Sequence, residues 1–348
     1  MISVKNKNLI VVIYGIGGIG ATLGGWLSQK SDYVYLLARG DNAKALKAEG
    51  LILYEREYND PEPIPVKVIE DLNELSEVDI VVITVKNYDL EEVANDIYTK
   101  VGDKPIIVGL QNGFENQNVL PKYFTKIVYG VVVQSGWRDK PGVFGTRGKG
   151  HLTLGTPNNE NQEIVETIVE ILNLAIRTRS TQNFQDAAHS KLIINLANSV
   201  FTLISSELKD DDEIYLLWQI LINTYYEGIE VVKAAGYKEF ELRGLLSWDV
   251  IEIGRKLDKN AAVTNFKGST KYAWLNSMSQ DMIRRQRSRS ELESLNGYLL
   301  NLAESVSIEV PYNQIIYKLC KQQFEKRPYQ PLPVKVVWEK INEELNRK

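Results

Sequence analysis

The chain has 348 residues, enough for two domains, and its 44% hydrophobic and 25% charged residues are ordinary for a soluble globular protein. A net charge of -4 argues against a nucleic-acid partner, and no run reaches the ~18 apolar residues of a membrane span. Cys320 is the only cysteine and the two histidines, His151 and His189, lie far apart, so we expect no internal disulfide, no metal site and a reducing, cytoplasmic location.

The first half of the chain alternates between apolar runs and stretches with helical spacing. We predict buried strands at 9–15, 33–39, 79–86 and 105–112, with a helix after each of the first three. Strands that are continuously apolar and alternate with helices indicate a parallel sheet that is covered on both faces. Within 126–155, two strand-like runs separated by Gly-rich turns indicate an antiparallel edge.

The second half of the chain has a helical pattern from about residue 160 onward. The predicted helices include a long, mostly apolar one at 183–204 and others near 212–235, 241–256, 270–287, 291–305 and 312–325. We place a domain boundary near residue 180. The predicted organisation is an α/β dinucleotide-binding domain at 1–180, an all-α domain at 181–325 and a C-terminal tail at 326–348.

A glycine-rich loop follows the first predicted strand directly and opens a helix, with the spacing GxGxxG. In this pattern the first glycine permits a tight turn, the second lets the backbone approach a pyrophosphate, and the third lets helix and strand pack closely. The helix N-terminus then offers its N–H groups to the phosphates. We therefore predict a Rossmann-type cofactor site, and the alternative is a βα turn without a ligand. The predicted site residues are Gly15, Ile16, Gly17, Gly18, Ile19 and Gly20.

Arg39 at the end of the second predicted strand indicates which dinucleotide is bound. An acidic residue at this distance from the loop would bind the ribose hydroxyls of NAD, whereas a cation suits the 2′-phosphate of NADP(H). NADP(H) is therefore the predicted cofactor. The alternative is a solvated Arg39 with Asp41 as the ribose ligand, although Asp41 is better suited to be the N-cap of the next helix.

Lys86 and Asn112 end two further predicted strands. Ligands of an open parallel sheet bind at the carboxyl ends of its strands, so we expect both side chains to face the cofactor crevice. Asn112 is followed by Gly113, and an Asn-Gly pair could equally be only a turn.

A polar stripe interrupts the long apolar helix of the second half. At 100° per residue, Asn195 lies about 40° from Lys191, and Asn198 lies about 20° away on the other side. Because a buried, unpaired ammonium costs several kcal/mol, the stripe either finds an acidic partner or faces a cleft. We expect it to face the gap between the domains, and the alternative is a structural network between helices.

A second polar cluster lies between residues 275 and 299. Ser277 is predicted to lie within a helix, and Ser290 with Glu293 has the spacing of a capping box. That box would leave Glu291 without a capping role, so we expect its carboxylate to meet Lys191.

Together these pieces resemble the ketopantoate reductase (2-dehydropantoate 2-reductase) family over about residues 9–325. The matching pieces are GIGGIG at 15–20, Arg39, TVK at 84–86, LQNG at 110–113, KLIINLANS at 191–199, NSMSQD at 276–281, SELESLNGYL at 290–299 and VPYN at 310–313. The resemblance implies a second domain of the all-helical type found in 6-phosphogluconate dehydrogenase relatives, whose surface would allow a homodimer.

The resemblance also implies the chemistry, which is NADPH-dependent reduction of a 2-keto acid, most specifically ketopantoate to pantoate. Lys191 would be the catalytic lysine and general acid, and Glu291 its acidic partner. Asn195, Asn198 and Ser277 would bind polar groups of the substrate. Lys86 and Asn112 would line the junction of nicotinamide and substrate, with Asn112 contacting both.

The chain departs from the family pattern in four places. The segment between Asn198 and Ser277 is long, and Asn198 follows Lys191 by seven positions rather than eight. His189 stands where the family often has tryptophan, and the tail at 326–348 is additional. Two alternative functions therefore stay open: a reductase of a different 2-keto acid, and an NADP-binding sensor without turnover.

Overall fold

The computed structural model describes residues 8–269, 274 and 276–346 of the chain. The chain divides into two compact units, Met1–Phe184 and Gln185–Lys348. Within the described ranges, no helix combines the length and the apolar character needed to cross a membrane.

The first unit is an α/β domain. Its strands are β1 (Val11–Tyr14), β2 (Val34–Leu37), β3 (Ile52–Glu55), β4 (Lys67–Ile69), β5 (Ile80–Ile83), β6 (Ile106–Gly109), β7 (Ile127–Val133), β8 (Gly136–Lys140), β9 (Val143–Thr146), β10 (His151–Gly155) and β11 (Arg177–Ser180). Its α-helices are α1 (Gly18–Ser28), α2 (Gly40–Glu49), α3 (Leu90–Val101), α4 (Glu115–Val119) and α5 (Gln162–Leu172). All four strands predicted in the first half are present as β1, β2, β5 and β6.

The main sheet has the order β11-β10-β7-β6-β5-β1-β2-β4. The six adjacent strands β7, β6, β5, β1, β2 and β4 pair with one another in parallel. Strand β10 pairs with β7 in the antiparallel direction. The parallel part has the doubly wound order of a Rossmann domain, in which the direction of winding reverses between β1 and β5. The predicted parallel sheet with an antiparallel edge is therefore confirmed, and β1 and β5 are buried along their whole length.

A second, three-stranded sheet with the order β3-β9-β8 was not predicted. Its strand β8 packs against the start of α1, where the backbones of Gly18 and Gly136 are so close that a Cβ on Gly18 would lie 2.2 Å from the Gly136 oxygen. Trp137 Nε1 donates to the Tyr54 hydroxyl at 2.9 Å, and that hydroxyl donates to Asp139. The small sheet therefore supports the glycine loop of the main sheet.

The second unit is helical, as predicted, apart from a parallel β-bridge between Ile204 and Leu332 among its described residues. Its helices are α6 (Phe184–Asn195), α7 (Ala197–Leu203), α8 (Asp211–Ala234), α9 (Trp248–Gly254), α10 (Lys259–Ser269), α11 (Ser277–Ser279), α12 (Tyr298–Ser305), α13 (Pro311–Phe324) and α14 (Val334–Leu345). Gln280–Arg284 and Glu293–Gly297 are π-helical turns.

Three predicted helices of the second unit differ in the structure. The long helix at 183–204 is broken at Leu196, whose N–H is shared between the carbonyls four and three residues before it, at 3.1 and 3.2 Å. The helix predicted at 241–256 begins only at α9, where the Ser247 side chain caps it by accepting from the Val250 N–H. Of the helix predicted at 270–287, residues 270–273 and 275 lie outside the described residues, 277–284 form α11 and the following π-helical turn, and 285–287 are not helical.

Residues beyond 325 belong to the second unit. The tail contains α14, whose apolar side chains Val334, Val337 and Ile341 are buried. An ion pair of 3.3 Å between Lys335 and Glu213 joins the start of this helix to α8. The tail is thus packed onto the helices that precede it.

Candidate functional site

The three motif glycines of the loop between β1 and α1 have different surroundings. Gly15 has φ +101°, and a Cβ there would lie 2.5 Å from the Val85 side chain. A Cβ on Gly20 would lie 2.2 Å from the Gly15 oxygen, whereas a Cβ on Gly17 would meet no atom of a described residue within 4 Å. The first turn of α1 contains no acidic residue. The loop thus has a tight turn at Gly15, a close helix contact at Gly20 and open space at Gly17. This arrangement fits a dinucleotide pyrophosphate at the N-terminus of α1.

Two polar side chains hold this loop, and neither was singled out individually as a site residue from the sequence. Thr84 Oγ1 donates to the Gly15 oxygen at 2.6 Å. Asn42 is buried, with its Nδ2 3.3 Å from the Ile16 oxygen and its Oδ1 accepting from the Gly142 N–H at 3.0 Å. Polar residues are common in the first turn of a helix, so the sequence carries no signal that distinguishes Asn42 from a solvated residue.

Arg39 lies at the N-cap of α2 in an extended conformation. Its Nη2 donates to the Tyr14 hydroxyl at 2.7 Å and lies 3.4 Å from Asp96 Oδ2, while the side chain stays 55% exposed. Asp41 is in the first turn of α2 and pairs with the exposed Lys44 at 3.4 Å. The prediction that Asp41 is the N-cap is therefore wrong, because the helix begins at Gly40 and its N-cap is Arg39, two residues before Asp41.

Tyr14 and Asp96 anchor the Arg39 guanidinium from one side. The Tyr14 hydroxyl donates to Asp96 Oδ2 at 2.7 Å, and Lys100 Nζ lies 2.8 Å from Asp96 Oδ1. Burial, with this hydrogen bond, raises the pKa of Tyr14 far above its usual range, so the phenol remains a donor. The anchored guanidinium is half exposed and so is accessible to an anion.

Lys86 and Asn112 lie on neighbouring loops that follow β5 and β6. The two strands pair in parallel up to their last residues, and the Asn87 side chain, directly after Lys86, donates to the Asn112 oxygen at 2.5 Å. Gly113, with φ +81°, makes the turn that follows Asn112. The structure therefore brings these two loops together at the carboxyl edge of the sheet. Asn87 Oδ1 is buried and has no hydrogen-bond partner among the residues that the structure describes.

Lys191 lies in α6 of the second unit. Its side chain is largely buried, and it makes no hydrogen bond or ion pair with any residue in the described ranges. Burial lowers the pKa of its ammonium to about 8. The charged form is thus less favoured than in an exposed lysine.

The polar stripe is only partly continuous. Asn195 is 6% exposed and lies one helical turn after Lys191, at the end of α6. Asn198 belongs to α7, beyond the break at Leu196. Its main-chain carbonyl accepts a hydrogen bond from Thr202 Oγ1 at 2.6 Å. The angular argument from a continuous helix therefore applies to Lys191 and Asn195 but not to Asn198.

Ser277 and Glu291 are brought together, with Ser277 Oγ donating to Glu291 Oε2 at 2.7 Å. Glu291 is 2% exposed. Ser277 is the first residue of α11, after its N-cap Asn276, and does not lie within a longer helix. Among the described residues, no hydrogen bond or ion pair joins Glu291 to Lys191, and Glu291 accepts from Ser277.

The predicted capping box is also wrong. Ser290 Oγ accepts from the Leu292 N–H at 3.3 Å, but the Glu293 carboxylate faces α13. There it accepts from the Tyr317 hydroxyl at 2.7 Å and pairs with Lys321 at 3.2 Å. Glu293 therefore has a structural role, as predicted, but it contacts Tyr317 and Lys321 instead of capping a helix.

His189 is buried two residues before Lys191. Its Nε2 lies 2.9 Å from the Tyr298 hydroxyl, its Nδ1 2.7 Å from the Gln185 oxygen, and its ring stacks on Tyr237 at 3.7 Å. Burial lowers the pKa of this imidazole to about 4, so the ring is neutral at physiological pH. His189 therefore joins α6 to the start of α12 and has a structural role.

Comparisons with known proteins give the same assignment for both units. The family model described as ketopantoate reductase PanE/ApbA matches residues 11–159, and the model of its C-terminal domain matches residues 183–324. The 2-dehydropantoate 2-reductase of Pyrococcus horikoshii is 26% identical over 317 residues, covering 89% of this chain and 96% of its own length.

Solved structures have a similar fold. A dimeric ketopantoate reductase from Staphylococcus aureus has a TM-score of 0.66 and 20% identity, covering 90% of this chain and 98% of its own. D-mandelate dehydrogenase in complex with NADH has a TM-score of 0.69 and 17% identity, covering 90% of this chain and 98% of its own. At these identities the likeness shows the fold alone.

Proposed function

Since the chain belongs to the ketopantoate reductase family of oxidoreductases, we propose that it reduces ketopantoate to pantoate with NADPH. The observation that carries this proposal is the buried ammonium of Lys191, which has no partner among the described residues. Such a group is costly to maintain unless a ligand uses it.

The first unit would bind the cofactor. The loop at 15–20 suits the pyrophosphate, and the half-exposed, anchored Arg39 suits a 2′-phosphate, which favours NADPH over NADH. Lys86 and Asn112 would lie beside the nicotinamide, at the carboxyl edge of β5 and β6. When bound, the nicotinamide supplies the hydride that adds to the keto carbon.

Lys191 would act on the carbonyl oxygen of the substrate. Negative charge develops on that oxygen during reduction, and a positioned ammonium stabilises it and donates the proton. A pKa of about 8 serves this role well, because the group is protonated at neutral pH and still gives up its proton readily.

Four further side chains of the second unit would hold the substrate. The Ser277 hydroxyl donates its hydrogen to Glu291, and we propose that its oxygen accepts from a substrate hydroxyl when the substrate binds. Glu291 would thus orient Ser277 rather than Lys191. The amide groups of Asn195 and Asn198 suit the substrate carboxylate and carbonyl.

A different 2-keto acid is the second candidate substrate. The fold is shared with D-mandelate dehydrogenase bound to NADH, so this architecture accommodates another 2-hydroxy acid and another cofactor. We also propose a homodimer, because the Staphylococcus aureus relative is dimeric.

The test follows the absorbance of NADPH, and in parallel of NADH, with ketopantoate, pyruvate and benzoylformate, the keto acid that corresponds to mandelate. We expect the highest kcat/KM with ketopantoate and NADPH. Lys191→Met, which keeps the apolar stem, should lower kcat by about 10²–10⁴-fold, whereas replacing the exposed Lys318 by methionine should not. NADPH binding without oxidation by any keto acid would indicate a sensor instead.

A further inference from the structure

We infer that the C-terminal segment 327–345 is a strap that positions the substrate-binding residues of the second unit, with Tyr329 as its central positioning residue. The strap lies beyond residue 324, where the match to the family model ends. Its kinetic consequences rest on the proposed function, whereas its contacts do not.

Tyr329 is held on three sides. Its hydroxyl donates to the Thr202 oxygen at 2.5 Å, at the end of α7. Its N–H donates to Gln286 Oε1 at 2.7 Å, and its oxygen accepts from Gln286 Nε2 at 3.4 Å. The ring is 3% exposed and packs edge-on against Phe324. Tyr329 therefore connects α7 with the segment that follows α11.

Thr202 continues this connection toward the proposed substrate residues. A directed chain of donors runs from Asn276 Nδ2 to Ser279 Oγ at 2.9 Å, on to Thr202 Oγ1 at 2.9 Å, and then to the Asn198 oxygen at 2.6 Å. In this direction each hydroxyl donates once and accepts once. The main-chain carbonyl of Asn198 thus belongs to this network, and Ser277 directly follows its member Asn276. The Thr202 backbone of the same network is bonded to Tyr329.

Other contacts of the strap support both sides of this network. On the α7 side, the Leu332 N–H donates to the Leu203 oxygen at 2.7 Å and the Ser205 N–H donates to the Leu332 oxygen at 2.9 Å. On the other side, Arg327 Nη2 donates to the Arg287 oxygen at 2.6 Å. The strap therefore bonds to both of two segments whose contact residues, such as Thr202 and Gln286, are 84 positions apart in sequence.

Recognition of a small substrate requires its ligands to be placed within about 0.5 Å. Tyr329 acts through other residues, because its hydroxyl and its backbone groups are bonded to protein groups. Loosening one hydrogen bond of the strap should therefore weaken substrate binding more than it slows the chemical step.

Tyr329→Phe removes only the hydroxyl and tests this inference. We expect the KM for ketopantoate to rise about 3- to 10-fold, with kcat and the KM for NADPH within about twofold of wild type. Tyr317→Phe is the matched control, since it removes a tyrosine hydroxyl from the surface of the same unit, and it should leave all three constants unchanged.

Hydrogen exchange measured without any substrate gives a second readout. Amides in 198–205 and 277–287 should exchange faster in Tyr329→Phe than in wild type, and no faster in Tyr317→Phe. An unchanged KM for ketopantoate, even with a lower melting temperature, would overturn the positioning role, and unchanged exchange would overturn the strap itself. Inactivity of the wild type with every keto acid would instead refute the proposed function and leave the exchange test valid.

Discussion

Lys191 is a cation in surroundings that favour a neutral group. The lowering of its pKa from 10.5 to about 8 corresponds to about 3 kcal/mol of lost stability at neutral pH. Because no described residue compensates for that loss, it is the kind of local cost that functional sites retain.

We therefore predict that Lys191→Met makes the protein more stable while removing activity. At pH 7 the free energy of unfolding should rise by about 1–3 kcal/mol, because the variant buries an apolar side chain in place of an ammonium. Urea denaturation of the variant and the wild type measures this difference, with Lys318→Met as the exposed control. A destabilised Lys191→Met would contradict this account of the site.

The same residue sets the direction of the pH dependence. Between pH 8 and 10.5 the folded chain binds fewer protons at Lys191 than the unfolded chain does, so its contribution makes stability rise with pH in that window. The advantage of Lys191→Met should therefore be largest below pH 8 and should disappear toward pH 10.5. Denaturation curves at pH 7, 9 and 10 can follow this change.

In the element formed by β1, the glycine loop and α1, one glycine is required by packing and another is explained by ligand binding. Gly20 is required by packing, because a Cβ there would collide with the backbone of Gly15. Packing against the described residues does not require Gly17, since the space around it is open and its φ of -93° suits other residues. Its place in the motif is explained by the approach of a pyrophosphate.

Two alanine substitutions should distinguish the glycine needed for cofactor binding from the glycine needed for packing. Gly17→Ala should keep or slightly raise the melting temperature and weaken NADPH binding at least about tenfold, because the new methyl group occupies the phosphate approach. Gly20→Ala should lower the free energy of unfolding by about 1–3 kcal/mol, because backbone atoms must shift. Calorimetry and fluorescence titration with NADPH measure the two effects. Equal destabilisation by both variants would refute the distinction.

The limits of elements were harder to predict than their presence. The break between α6 and α7 falls at Leu196, in a stretch without glycine or proline, so the sequence contains no local signal for it. Strand β8 has a strand-like sequence, yet it pairs with β9 in the second sheet because it packs on the start of α1. Both features result from packing against distant parts of the chain.

For the whole molecule, we propose that the first unit binds the cofactor and the second unit supplies the proton donor. The proposed cofactor residues lie in the first unit and the proposed proton donor in the second. NADPH at 100 times its Kd should stabilise the wild type by about 2.7 kcal/mol. It should stabilise Lys191→Met by the same amount, since that substitution leaves the first unit intact. Thermal denaturation with and without NADPH tests this, and a smaller effect in the variant would assign Lys191 to cofactor binding.

The sequence by itself determined the parallel α/β unit, the helical unit, the glycine loop and the positions of the polar residues. These features depend on periodicity and spacing among residues that are close together in the chain. Only the tertiary structure decided that Glu291 contacts Ser277 instead of Lys191, and that Tyr329 joins α7 to the segment after α11. Those contacts link residues that are 14 to 127 positions apart, and which polar groups meet at such distances depends on how the helices pack.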